Sequence, residues 1–111
     1  MSYMVVSQTW LTEGDNHLEA YLALVARYEE FLVAQPGFVS RQLVRSTESP
    51  RHLIHLRTFE TIEHYEAMSQ IPEYQAQIEA LSEHVDASAY PPGAVAREYG
   101  EVVFESSATR S

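Results

Sequence analysis

Residues 35–68, QPGFVSRQLVRSTESPRHLIHLRTFETIEHYEAM, decide the fold. Pro36-Gly37 is a break signal, and it closes a preceding helical pattern. Phe38 to Ser46 then reads as a strand, and Thr47-Glu48-Ser49-Pro50 has turn chemistry. His52 to Phe59 makes a second strand, and Thr61 is placed to cap a helix that begins near Ile62. Two strands joined by a short polar turn form a hairpin, and a helix follows it directly.

Upstream, Met4 to Leu11 (MVVSQTWL) is rich in β-branched and aromatic residues and reads as a strand. Thr12 to Asn16 is a loop. His17 to Ala34 reads as one helix, capped by Asp15 or Asn16, with Leu18, Tyr21, Leu22, Val25, Tyr28 and Leu32 on one apolar stripe. Downstream, Ile62, Tyr65 and Met68 are expected to face inward. Pro72 either interrupts this helix or opens a new one. Tyr74, Ile78, Leu81 and Val85 extend the stripe to about His84. Tyr90-Pro91-Pro92-Gly93 is a rigid loop, and Arg97 to Glu105 reads as the last strand.

The order is β-α-β-β-α-β, the split ferredoxin-like α+β arrangement. It predicts a four-stranded antiparallel sheet with helices on one face. Both faces of the first and last strands carry apolar weight: Met4, Val6 and Trp10 against Val5, Thr9 and Leu11, and Val102 and Phe104 against Val103. One helical layer leaves the second face bare, and large bare apolar surface marks an interface. The expected assembly is a homodimer whose sheets close a shared barrel-like core.

Bulk composition narrows the function classes. A chain of 111 residues is one domain by length, taken as 1–105, with a loose polar tail over 106–111. It has no cysteine, so thiolate catalysis, disulfides and zinc–thiolate sites are excluded. Its net charge of −9 repels phosphate backbones and argues against nucleic-acid binding. No apolar run approaches the roughly 20 residues of a membrane span, and no signal peptide is legible, so the cytoplasm is the expected location. No glycine-rich phosphate loop or nucleophile elbow is present.

The helix ending FLVAQPGFVSRQLVRS, then LIHLRTFETIEHYEAMSQIPEY, together with the element order, resembles the antibiotic biosynthesis monooxygenase family of the dimeric α/β-barrel superfamily. The resemblance runs from about Met4 to Phe104. It implies a small dimer with a cavity between each sheet and its helices. Some members oxidise aromatic polyketide anthrones with O₂ and neither metal nor flavin; others bind and break haem. This chain departs from both patterns. Ser7 or Gln8 stands where the oxygenases carry asparagine, and Phe59 where many carry tryptophan. Gln77 stands where the haem-degrading members carry histidine, and Met68 where they carry a bulky tryptophan.

Oxygenase chemistry needs a group that takes a proton, polar groups that hold the resulting anion, and walls that exclude water. His55 and Arg57 are two apart on one strand and share a face. With Tyr65 at the start of the second helical region, they are the candidate catalytic residues. Trp10, Phe59, Met68, Tyr74 and His84 are candidate substrate-binding residues. Arg41 and Arg45 alternate on the neighbouring strand and either join this patch or face solvent, with solvent favoured. His52, His64 and His84 lack metal-site spacing, so no metal and no cofactor are expected. The implied function is a cofactor-independent monooxygenase for a small aromatic, polyketide-like substrate. The alternative is a non-catalytic dimer that holds a small molecule or haem.

Overall fold

The computed structural model describes residues 2–14, 16–93 and 96–108. Strand β1 (Tyr3–Trp10) leads to helices α1 (His17–Arg27) and α2 (Glu29–Val33). Strands β2 (Phe38–Arg45) and β3 (His52–Phe59) form the hairpin, followed by α3 (Ile62–Ser69), α4 (Pro72–Ser82) and β4 (Arg97–Glu101). The sheet is antiparallel with order β2-β3-β1-β4, the ferredoxin-like α+β topology. Among the described residues, no helix is long and apolar enough to cross a membrane.

The local chemistry explains the boundaries. Gly37 takes φ +77°, a left-handed conformation that favours glycine, and turns the chain from α2 into β2. Its carbonyl accepts from the Glu60 N–H at 2.7 Å, fastening the start of β2 to the end of β3. In the hairpin turn the Ser46 hydroxyl accepts from the Glu48 and Ser49 N–H groups. Thr61 caps α3 by accepting the His64 N–H at 3.2 Å. Pro72 occupies the first turn of α4, where its missing N–H costs nothing, and so divides two helices.

Several boundaries depart from the expected ones. The helix expected over 17–34 breaks at Tyr28, which has φ −98° and ψ 10°. Asn16 precedes α1 in a left-handed conformation with no side-chain cap bond, and Asp15 lies outside the described residues. The last strand ends at Glu101 rather than Glu105, and Val103 and Phe104 beyond it are more than 80 % exposed. Of the expected tail, 109–111 lie outside the described residues.

Leu22, Ile62 and Ile78, expected inward, are exposed. At about 100° per residue, the inward face of α3 is centred between Tyr65 and Met68, and that of α4 among Tyr74, Gln77 and Leu81. Ile62 and Ile78 fall on the margins of those faces, as Leu22 does on α1.

Two clusters make the core between sheet and helices. Tyr3, Val5, Leu32, Phe59, Tyr65, Met68 and Tyr74 form one. Leu11, Tyr21, Leu53 and Leu81 form the other. Strand alternation sends the even-numbered residues of β1 and β3 to the opposite side. There Met4, Val6, Ile54 and Leu56 stay only half-buried, with Val44 exposed beside them. Among the described residues, no α-helix covers that face.

Candidate active site

The two core clusters leave a cavity of about 150 Å³ between the sheet and α1, α2 and α4. Its polar wall is built by register. Ser7 lies opposite His55 on β3 and opposite Arg97 on β4, and Arg41 on β2 lies opposite Arg57. All of these share the odd-numbered face, so all four strands deliver polar groups to one place. Tyr21, Tyr74 and Gln77 come from the helices, and Leu32, Ile78, Leu81 and Val85 supply an apolar wall.

Arg57 is the centre of this arrangement. Only 4 % of it is exposed. It donates to the Tyr74 hydroxyl at 2.8 Å and to the Ser7 hydroxyl at 3.1 Å. Its guanidinium also lies 5.7 Å from the centre of the Tyr65 ring, within cation–π range. Its Nε is buried and, among the described residues, has no hydrogen-bond partner. No carboxylate pairs with it among those residues. Arginine does not discharge by losing a proton, so this charge persists. Arg41, its side chain 8 % exposed, donates to Glu29 at 2.6 Å and to the Val25 carbonyl at 3.3 Å, while its buried Nη1 has no partner among the described residues.

His55 shares the cavity wall, and its buried Nε2 has no partner among the described residues. Burial, then the charges of Arg57, Arg41 and Arg97, push its pKa from 6.5 down to about 3. It is therefore a neutral imidazole at ordinary pH. Between those two values the unfolded chain binds a proton that the folded chain refuses, so stability falls as pH drops from 6.5 toward 3. Urea unfolding of the wild type should lose about 1.4 kcal/mol more per pH unit than His55→Gln between about pH 6 and about pH 4. Parallel stability profiles would show that His55 titrates normally.

Tyr65 stands beside the cavity rather than in its wall. Burial, the neighbouring Tyr74 and a hydrogen bond to Tyr99 push its pKa up, so it remains a neutral phenol. Burial also pulls Tyr99 upward, but hydrogen bonds from Arg97 and Tyr65 outweigh it and leave Tyr99 below its ordinary value. Arg97, Tyr99, Tyr65 and Arg57 thus form a continuous polar chain along one side of the site.

The structure brings His55, Arg57 and Tyr74 together and sets Tyr65 against them. It does not bring the other candidates. Phe59 and Met68 are 0 % and 1 % exposed and fill the core. His84 meets His17, Nδ1 to Nδ1 at 3.1 Å, away from the cavity. Trp10 stacks on His52, centroids 4.1 Å apart, with Tyr90 against its edge, on the face that no helix covers. Arg45 is exposed, while Arg41, for which solvent was favoured, joins the site. Arg97 and Tyr99 carry no local sequence signal, and Tyr21 is legible only as a member of the apolar stripe of the first helix. The strand parity that set Trp10 opposite Val5 and Thr9 also puts Ser7 on the cavity face.

A family model described as antibiotic biosynthesis monooxygenase matches residues 3–80. No curated protein matches the chain. Among solved structures, the chain is similar to Rv0793 from Mycobacterium tuberculosis, at 17 % identity and TM-score 0.74, covering 96 % of this chain and 100 % of that one. It is similar to SnoaB, a cofactor-independent oxygenase from Streptomyces nogalater, at 15 % identity and TM-score 0.71, covering 96 % and 95 %. A conserved protein from Methanosarcina mazei Go1 is similar at 14 % identity and TM-score 0.71, covering 90 % and 89 %. At these identities the likeness is one of fold.

Proposed function

The chain belongs to the antibiotic biosynthesis monooxygenase family, and from that premise we propose that it oxidises a small phenolic or polyketide-like aromatic compound with O₂, without metal or flavin. The observation that carries this reading is Arg57: a buried cation with a free N–H and no counter-charge among the described residues. A buried charge left unpaired costs several kcal/mol, so the site is built to receive an anion. An enolate or phenolate oxygen fits that need.

In this mechanism the activated CH₂ of an anthrone-type substrate loses a proton as its oxygen becomes an enolate beside Arg57. The proton goes to His55, whose basicity rises once the anion offsets the surrounding cations. Tyr74 and Ser7 hold Arg57 in place, and Tyr65 and Tyr99 position it from behind. The electron-rich carbon then reduces O₂. The net change is CH₂ plus O₂ to C=O plus water: one oxygen atom enters the carbonyl, and the other leaves with both hydrogens. The apolar wall of Leu32, Leu81 and Val85 keeps bulk water from the ring.

The purified protein should raise O₂ uptake by a hydroxylated anthrone well above the uncatalysed rate. Tyr65→Phe, acting only through Arg57 and Tyr99, should slow turnover by less than about tenfold, whereas loss of a group that contacts the developing charge typically costs more. Uptake equal to the protein-free control would end this reading. Haem binding finds no support in His84, which engages His17 instead.

We also propose that the uncovered sheet face pairs two copies into the dimer, closing Met4, Val6, Ile54 and Leu56 away from water. Sedimentation should give a dimer at micromolar concentration, and Leu56→Glu a monomer. A wild-type monomer would overturn this.

A further inference from the structure

Arg41 and Arg57 are direct cross-strand neighbours on the cavity face. Like charges in that position repel, and a fold keeps such a pair only with compensation. Glu29 compensates in part by taking one nitrogen of Arg41. The remainder is open: Arg41 Nη1 and Arg57 Nε are both buried donors without partners among the described residues, and His55 Nε2 beside them is equally unpaired. Buried polar atoms in native proteins find partners with few exceptions, so three such atoms around one cavity mark a ligand's polar edge.

A single enolate oxygen would engage Arg57 and leave Arg41 unused. A carboxylate, with two oxygens, reaches both. Resting on the oxygenase reading above, we propose that the substrate is an aromatic hydroxy-carboxylate, with its carboxylate held between Arg41 and Arg57 and its neighbouring hydroxyl or enol oxygen lying between Arg57 and His55. Arg41 is then the residue that sets specificity. A phosphate would also suit two guanidiniums, but the adjoining wall of Leu32, Ile78 and Leu81 is apolar and fits a ring close behind the charged group. The cavity volume of about 150 Å³ matches a ring system of modest size.

Calorimetric titration of the purified protein with 3-hydroxy-2-naphthoate and with 2-naphthol tests this. The pair differs by the carboxylate. The carboxylate compound should bind about 30-fold tighter, the scale of a charge-assisted contact at tenfold per 1.4 kcal/mol. Arg41→Gln should shrink that ratio to about threefold or less, since one guanidinium of the clamp is gone. Glu29→Gln, at an exposed carboxylate, should widen it severalfold by freeing Arg41, and it keeps the test open if Arg41→Gln does not fold. Equal or tighter binding of 2-naphthol, binding of neither compound, or a ratio that Glu29→Gln leaves unchanged would overturn the proposal. Turnover of an anthrone lacking a carboxylate, alongside a failed ratio, would remove the clamp and leave the oxygenase standing. A ratio that holds without any O₂ uptake would do the reverse.

Discussion

Arg57→Met should fold with a melting temperature close to the wild type's and lose at least about 100-fold of the O₂ uptake, the usual cost of deleting a charge-stabilising donor. The two halves of this expectation have separate origins. Removing a buried, unpaired cation in favour of an apolar chain of similar length is neutral to stabilising by up to about 4 kcal/mol. Against that, the Tyr74 and Ser7 hydroxyls lose their donor, at roughly 1–3 kcal/mol each when buried. The terms oppose each other, so the fold is kept while the charge is gone. Arg57 is also the largest single charge acting on His55 after burial itself, so the imidazole pKa should rise in the variant. NMR titration reads that shift directly and reports the loss of the charge. Arg57→Lys should not restore turnover, because one ammonium cannot reproduce the forked contact to Tyr74 and Ser7. Uptake by Arg57→Met within threefold of the wild type would remove Arg57 from the chemistry.

Gly37→Ala should destabilise the fold by about 3 kcal/mol, from two additive causes. The backbone at φ +77° is costly for any residue with a side chain. An added Cβ would also lie 2.2 Å from the His64 ring, which the Thr61 hydroxyl holds at 2.8 Å. A smaller unfolded-state entropy for alanine returns about 0.4–1 kcal/mol. Adding His64→Ala to Gly37→Ala removes the clash but not the backbone strain, so the double variant should recover about half the loss. Urea unfolding gives both numbers, and a Gly37→Ala protein within about 0.5 kcal/mol of the wild type would show that the turn relaxes at little cost, as ordinary surface substitutions do.

The order of elements was legible because its punctuation is local. Pro36-Gly37, the serine-rich turn and Thr61 each act within a few residues of themselves. The break at Tyr28 was not legible, since the apolar period runs on through it to Leu32 and the interruption is a matter of backbone angle. The site was half legible for the same reason. His55 and Arg57 share a strand, so alternation alone placed them together. Arg97 and Tyr99 reach the same cavity side only because β4 lies beside β1, with Arg97 opposite Ser7. Such a pairing is long-range and leaves no trace in either segment. Gln77 was read only as standing in place of a histidine, yet it sits at the centre of the buried face of α4. Arg41 shows the limit of charge as a guide: arginines are mostly exposed, and this one is buried because Glu29 and the Val25 carbonyl hold it.

The stacked arrangement of Trp10, His52 and Tyr90 has a practical consequence. Trp10 is the one indole in the chain and lies on the side of the sheet turned away from the cavity. Its emission is therefore a reporter of that outer surface. It should respond to dilution and stay silent when a ligand enters between Tyr21 and Tyr74. Excitation of the phenols, rather than the indole, is the spectroscopic window onto the site.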